Sequence, residues 1–113
     1  MIKHHEVFKG LADPTRLRIV GLLLKRELCV CDLMAVLQLP QSTISRHMIR
    51  LKSAGLVLDR REGKWVHYRL EPSPIVEDLR QLLKRHLTGT DQFKKDAASL
   101  VRYSRTKRCT SAK

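Results

Sequence analysis

Two cysteines stand one residue apart, at Cys29 and Cys31, and a third, Cys109, lies near the end of the chain. Thiolates are soft donors that select thiophilic ions such as trivalent arsenic, trivalent antimony or Cu(I) over hard ones. The one-residue spacing is tighter than the paired cysteines of the usual zinc loop, so no structural zinc is expected. On an intact α-helix, residues two apart point ~200° away from each other. Both sulfurs can therefore hold one ion only at a non-helical helix start, or by unwinding that start. A thiol near a helix N-terminus has a lowered pKa and is a readier ligand. The plain alternative is a pair of small buried cysteines that merely pack. An odd number of cysteines speaks against a disulfide scaffold.

A second constellation is polar and cationic. Gln41, Ser42, Thr43, Ser45, Arg46 and Arg50 fall within ten residues, and no acidic residue occurs from Pro40 to Leu58. The spacing predicts a helix from Ser42 to Ala54, with Ile44, His47, Met48 and Leu51 at i, i+3, i+4 and i+7 as its inner face. Stepping ~100° per residue places Ser42, Arg46, Ile49 and Ser53 opposite that face, with Thr43, Ser45 and Arg50 flanking. Arg pairs bidentately with a guanine edge, Gln with adenine, and Ser or Thr with bases or phosphates. An ordinary solvated face would also be polar, but it would mix signs. His47 borders the inner face and is expected to pack there.

These residues need elements to position them. A short first helix carries Val7, Phe8 and Leu11, and Asp13-Pro14 is a helix start with Asp as N-cap and Pro at the first position. Leu17, Val20, Gly21 and Leu24 form the stripe of a second helix. A third is expected over Asp32 to Gln38, with Leu33, Val36 and Leu37 inward and Asp32 in its first turn. Pro40 breaks the pattern before the polar helix, and Gly55 sits at its left-handed cap. Two short helices joined by a tight turn outline a helix-turn-helix, whose second helix presents its N-terminal residues to the major groove.

Strands are expected over Leu56 to Arg60 and Trp65 to Leu70, joined by a turn at Arg61-Glu62-Gly63-Lys64. Such a hairpin is a wing, and its Arg60, Arg61 and Lys64 suit phosphate or minor-groove contact. Pro72 and Pro74 launch a fifth helix with Ile75, Leu79, Leu82, Leu83 and His86 on one stripe. A sixth helix from Thr90 presents Phe93, Ala97, Leu100 and Val101. The order αααα-ββ-αα is a mainly α winged helix-turn-helix. Residues 1–105 form one expected domain, and 106–113 a loose basic tail carrying Cys109. Ile75, Leu79, Leu82 and Leu83, with or without the first helix, are the candidate interface of a homodimer, because an apolar stripe on so small a chain needs a cover.

The 113 residues carry 23 Lys and Arg against 11 Asp and Glu, a formal net charge of +12. That imbalance points to a polyanionic partner. An anionic membrane surface would want a basic helix face opposite aromatics, and aromatics are only 4% of the chain and scattered. The longest apolar run, Ile19 to Leu24, has six residues, far short of the ~20 that span a bilayer. Met1 to Glu6 lacks the apolar region and cleavage site of a signal peptide, so none is expected. A cytoplasmic protein is expected, with double-stranded operator DNA and no membrane as its partner.

The segments Leu11-Ala12-Asp13-Pro14-Thr15-Arg16-Leu17-Arg18-Ile19, Gln41-Ser42-Thr43-Ile44-Ser45-Arg46-His47 and Ala54-Gly55-Leu56-Val57 resemble the ArsR-type metalloregulators. Glu27-Leu28-Cys29-Val30-Cys31-Asp32-Leu33 and Gly63-Lys64-Trp65-Val66-His67-Tyr68 resemble its arsenic-sensing branch. The resemblance runs from about Val7 to Leu87. It implies a dimeric winged-helix repressor of a resistance operon that leaves DNA on binding arsenite or antimonite through Cys29 and Cys31. That branch often has a further cysteine three residues after the second, where this chain has Met34, a poor neutral donor. Cys109 then stands as the third ligand or as an idle tail thiol. With two thiolates alone, a methylated arsenical or another soft ion would suffice. A zinc or cadmium site known on the family's fifth helix finds only Glu77-Asp78-Leu79-Arg80 and His86 here, and looks absent. His4 and His5 could join a site near the third helix, but read first as surface residues.

Two other function classes compete. A thiol reductase needs Cys-x-x-Cys on a βαβ scaffold or a cleft with paired acid and base, and neither is visible, so no enzyme is expected. A structural nucleoid-type binder would explain the charge and leave the cysteine pair unexplained.

Overall fold

The computed structural model describes residues 4–106, so Cys109 and all but the first residue of the expected tail lie outside it. The elements run α1 (His4–Leu11), α2 (Pro14–Leu23), β1 (Leu28–Cys29), α3 (Val30–Leu37), α4 (Gln41–Ser53), β2 (Val57–Glu62), β3 (Trp65–Leu70), α5 (Pro74–Leu87) and α6 (Asp91–Thr106). The order expected from sequence holds, with one addition. β1 is a two-residue strand that pairs antiparallel with β3, giving a sheet in the order β1-β3-β2. Two residues are too short to carry a period-2 signal, which is why only the hairpin strands were legible.

Local chemistry fixes the helix ends. The Asp13 carboxylate accepts the Arg16 backbone N–H at 3.0 Å, and Pro14 opens α2. That hydrogen bond is the main reason the Asp13 carboxyl lies below its ordinary value. α4 ends at Gly55, whose φ of 82° is the left-handed conformation. There the Leu56 N–H bonds to the Leu51 carbonyl at 3.0 Å and Gly55 N–H to Lys52 at 3.1 Å, the paired bonds of a Schellman motif. The hairpin turn is tighter than expected, because β2 continues to Glu62 and only Gly63 and Lys64 turn. Gly63, at φ 63°, supplies the positive angle such a turn requires.

The core gathers around α2 and α4. Ile44, Met48 and Leu51 of α4 are fully buried beside Leu33 of α3 and Leu56. α2 keeps Val20 and Gly21 of its expected stripe buried and corrects the rest: Ile19 and Leu22 are fully buried while Leu17 and Leu24 are half-buried. α2 is central, with α1, α4, α5, α6 and β3 packed around it, so more than one of its faces is covered. α1 crosses α4 closely at Gly10, where an added Cβ would meet Leu56 at 2.9 Å and Ala54 at 3.0 Å.

α5 corrects the expected dimer stripe. Val76 and Leu79 turn into the chain's own core, Ile75 and Leu83 pack partly against it, and Leu82 remains 46% exposed. Leu79 is therefore withdrawn from any surface by its own subunit. α6 is anchored by Leu100 and by Asp96, which is buried and grips Arg18 of α2 at 2.9 and 3.0 Å.

Candidate nucleic-acid interface and thiol site

α4 divides as its sequence predicts. With Ile44, Met48 and Leu51 inward, Gln41, Ser42, Arg46, Ile49 and Arg50 are exposed, and Thr43 and Ser45 are half-exposed at the margins. Pro40 precedes the helix and its carbonyl accepts the Ile44 N–H. The first turn carries no acidic side chain, so the helix N-terminus, with its unsatisfied N–H groups, stays free to meet an anion. Among the described residues, Arg46, Arg50, Arg61 and Lys64 make no salt bridge. Two of these cations stand on the outer face of α4 and two on the β2–β3 hairpin, all four exposed and without internal counter-charges.

His47 sits half-buried, with its Nδ1 3.5 Å from the Arg16 guanidinium. Arg16 also donates to the Gly10 carbonyl at 2.7 Å and the Lys9 carbonyl at 3.4 Å. One guanidinium thus ties the C-terminal end of α1 to α2 and α4. Sequence reasoning placed His47 as a packing residue and did not identify Arg16 as its partner.

Arg60 departs from its expected role. It forms a two-point pair with Glu27, at 2.7 and 2.9 Å, and reaches Glu62 at 3.4 Å. The hydrogen bonds from Arg60 hold the Glu27 carboxyl below its usual value. Glu27 immediately precedes β1, so this pair fastens wing strand β2 to the segment carrying the cysteines. Arg61 and Lys64 are the wing cations that remain exposed without such pairing.

Cys29 occupies a junction. It is the second residue of β1, opposite His67 of β3, and it is also the N-cap of α3, with extended backbone angles of −93° and 168°. His67 in turn lies opposite Arg60 of β2. A capping box closes the turn: the Cys29 sulfur accepts the Asp32 N–H, and the Asp32 carboxylate accepts the Cys29 N–H at 2.9 Å. Cys31 falls in the first turn of α3, which starts at Val30 rather than Asp32. The pair thus straddles a helix start, one of the two placements that would let both sulfurs meet one ion.

The ionisation of Cys29 is a correction. Its thiol was expected to have a lowered pKa; burial pushes it up instead, outweighing the backbone N–H groups of Asp32 and Cys31 that pull it down. The helix-terminus effect is present, but Cys29 is 1% exposed and the thiolate loses its water. Cys31 takes part in a disulfide, so it donates as a thiolate only once reduced. The second oxygen of buried Asp32, Oδ1, has no hydrogen-bond partner. Among the described residues, no group of three metal-ligating side chains converges, and Cys109 lies outside them. No helix of the described chain is long and apolar enough to cross a membrane.

Comparison with known proteins accords with this geometry. Residues 13–58 match the family described as bacterial regulatory protein, arsR family. An arsenical resistance operon repressor of Escherichia coli (strain K12) is 59% identical over 68 residues, 59% of this chain and 58% of that protein. The arsenic resistance transcriptional regulator ArsR2 of Pseudomonas putida is 43% identical over 99 residues, covering 87% of this chain and 85% of that one. A homodimeric winged helix-turn-helix DNA-binding domain, Mb0332 of Mycobacterium bovis, superposes with a TM-score of 0.64 at 33% identity, over 77% of this chain and 83% of that structure. The shared fold, and a match spanning most of the Pseudomonas protein, show that the chain belongs to the arsR family of bacterial regulatory proteins.

Proposed function

We propose that the protein is a homodimeric transcriptional repressor of an arsenic-resistance operon, released from its operator when Cys29 and Cys31 take up trivalent arsenic or antimony. The observation that carries this reading is the double membership of Cys29 in β1 and in the cap of α3. Drawing two sulfurs onto one ion must reorganise that cap. The strain then falls on the first helix of the reader and, through the β1–β3 pairing, on the wing.

The raised thiol of Cys29 favours arsenite over a divalent cation. Arsenous acid brings its own hydroxides: two thiols and As(OH)3 give two As–S bonds and two waters, with each thiol proton leaving on a hydroxide. A divalent cation must instead displace those protons into solution. In this reading Cys109, outside the described residues, supplies the third sulfur. Met34, at the position of the family's further cysteine, favours the alternative of a two-thiolate site for a methylated arsenical.

Gln41, Ser42, Thr43, Ser45 and Arg46 would read base edges, and Arg50, Arg61 and Lys64 would contact phosphates. Arg60 serves the wing through Glu27. Leu82, with Ile75, Leu83 and the exposed Val101 and Phe8, supplies apolar surface for the dimer.

The test is fluorescence-polarisation binding to the protein's own promoter DNA, in reductant, with and without arsenite. Cys29→Ser and Cys31→Ser should bind DNA and resist release, because a hydroxyl cannot replace a thiolate. Release of both variants at the wild-type arsenite concentration sinks the sensing mechanism. Cys109→Ser separates a three-sulfur site, which loses its response, from a two-sulfur one, which keeps it.

A further inference from the structure

Ile49 is the most exposed large apolar side chain among the described residues, at 66%. Nothing in the fold requires it. It points away from the buried face of α4, and a β-branched side chain adds nothing to an exposed helix position. Its surroundings carry three guanidinium groups: Arg16, Arg46 and Arg50, with His47 and Ile49, line a depression of about 380 Å³ that includes no acidic residue. Such a rim excludes a basic partner and suits a polyanion.

Ile49 lies one turn beyond Arg46, about 4.5 Å along the helix axis. That is little more than the roughly 3.4 Å separating successive bases on a strand. If Arg46 meets one base edge, the side chain of Ile49 therefore falls over a neighbouring step. The major groove offers one apolar feature at that depth, the 5-methyl group of thymine. We infer that Ile49 is a specificity-determining residue that reads a thymine methyl beside the base contacted by Arg46. The inference rests on the assignment of α4 as the DNA reader and adds to it a named base.

The test uses the full-length protein and the tightest duplex it selects from a random DNA pool. Each thymidine is replaced singly by deoxyuridine, which removes the 5-methyl group and nothing else. At a thymine adjacent to the base read by Arg46, the wild type should lose about fourfold in affinity, the scale of one methyl group withdrawn from water. Ile49→Ala, which disturbs no buried contact, should bind the parent duplex about fourfold more weakly and show no further loss at that position. A wild-type affinity indifferent to every replacement overturns the thymine contact, as does an undiminished loss in Ile49→Ala; both leave DNA reading by α4 intact. A protein that enriches no duplex from the pool overturns the reading of α4 and the inference with it.

Discussion

The attachment of α6 to the reader's scaffold rests on a pair whose removal has a calculable cost. The Asp96 carboxylate accepts Arg18 Nε at 3.0 Å, Arg18 Nη2 at 2.9 Å and Gln92 Nε2 at 3.1 Å. The Asp96 side chain is 5% exposed and that of Arg18 30%. Replacing Asp96 by Asn keeps the volume, removes the charge and turns an amide N–H2 toward the guanidinium. Breaking a fully buried pair costs about 3–5 kcal/mol, and a lost hydrogen bond to a charged group about 1.5–3 kcal/mol. Arg18 can partly rehydrate, so the lower range applies, and we expect a loss of about 2 kcal/mol. For a chain of this size that is a fall in Tm of about 8 °C, or about 1.3 M in the urea midpoint at an m-value of about 1.5 kcal/mol/M. Circular dichroism at one fixed protein concentration reads both, since dimerisation would otherwise shift the midpoint. Arg18→Met combined with Asp96→Ala should recover part of the loss, because no charge is then left buried alone. An Asp96→Asn protein within about 0.5 kcal/mol of wild type, the range of an ordinary surface change, refutes the idea that this pair holds α6.

Arg46→Ala should weaken binding to the promoter by about 1–3 kcal/mol and relax preference at one position. Lys64→Ala should weaken all sequences alike and lower the salt slope by about one, both read by polarisation across a salt series. Leu82→Asp together with Val101→Asp places two charges on apolar surface, and sedimentation at micromolar concentration should show the population shift to monomer. A wild type that is itself monomeric with and without DNA ends the dimer proposal. Because burial raises the Cys29 thiol, cadmium binding must release its proton and should strengthen by up to about tenfold per pH unit for each thiol deprotonated. Arsenite affinity should stay flat between about pH 6 and 8; competition titrations distinguish the two slopes.

The features read correctly from sequence are those decided by a few consecutive residues. Asp13-Pro14 caps α2 because an N-cap carboxylate and a proline need only the next turn. Gly55 ends α4 because its left-handed angle is a property of one residue. The polar face of α4 follows from helical periodicity once Ile44, Met48 and Leu51 are inside.

What tertiary structure alone decided involves partners distant in the chain. β1 exists because β3, some forty residues later, offers Tyr68 and His67 as partners (Leu28 and Cys29 have no strand signal of their own). Arg60 looked like a phosphate ligand until Glu27 lay beside it. Leu79 shared a stripe with Leu82, and the packing of α5 sent one inward and left the other out. The thiol of Cys29 shows the division most plainly. Sequence placed it at a helix start, where backbone N–H groups stabilise a thiolate, and those groups are there. The sign of its shift was set by burial, because desolvation depends on how the whole chain folds over the sulfur, and no local pattern of residues encodes that.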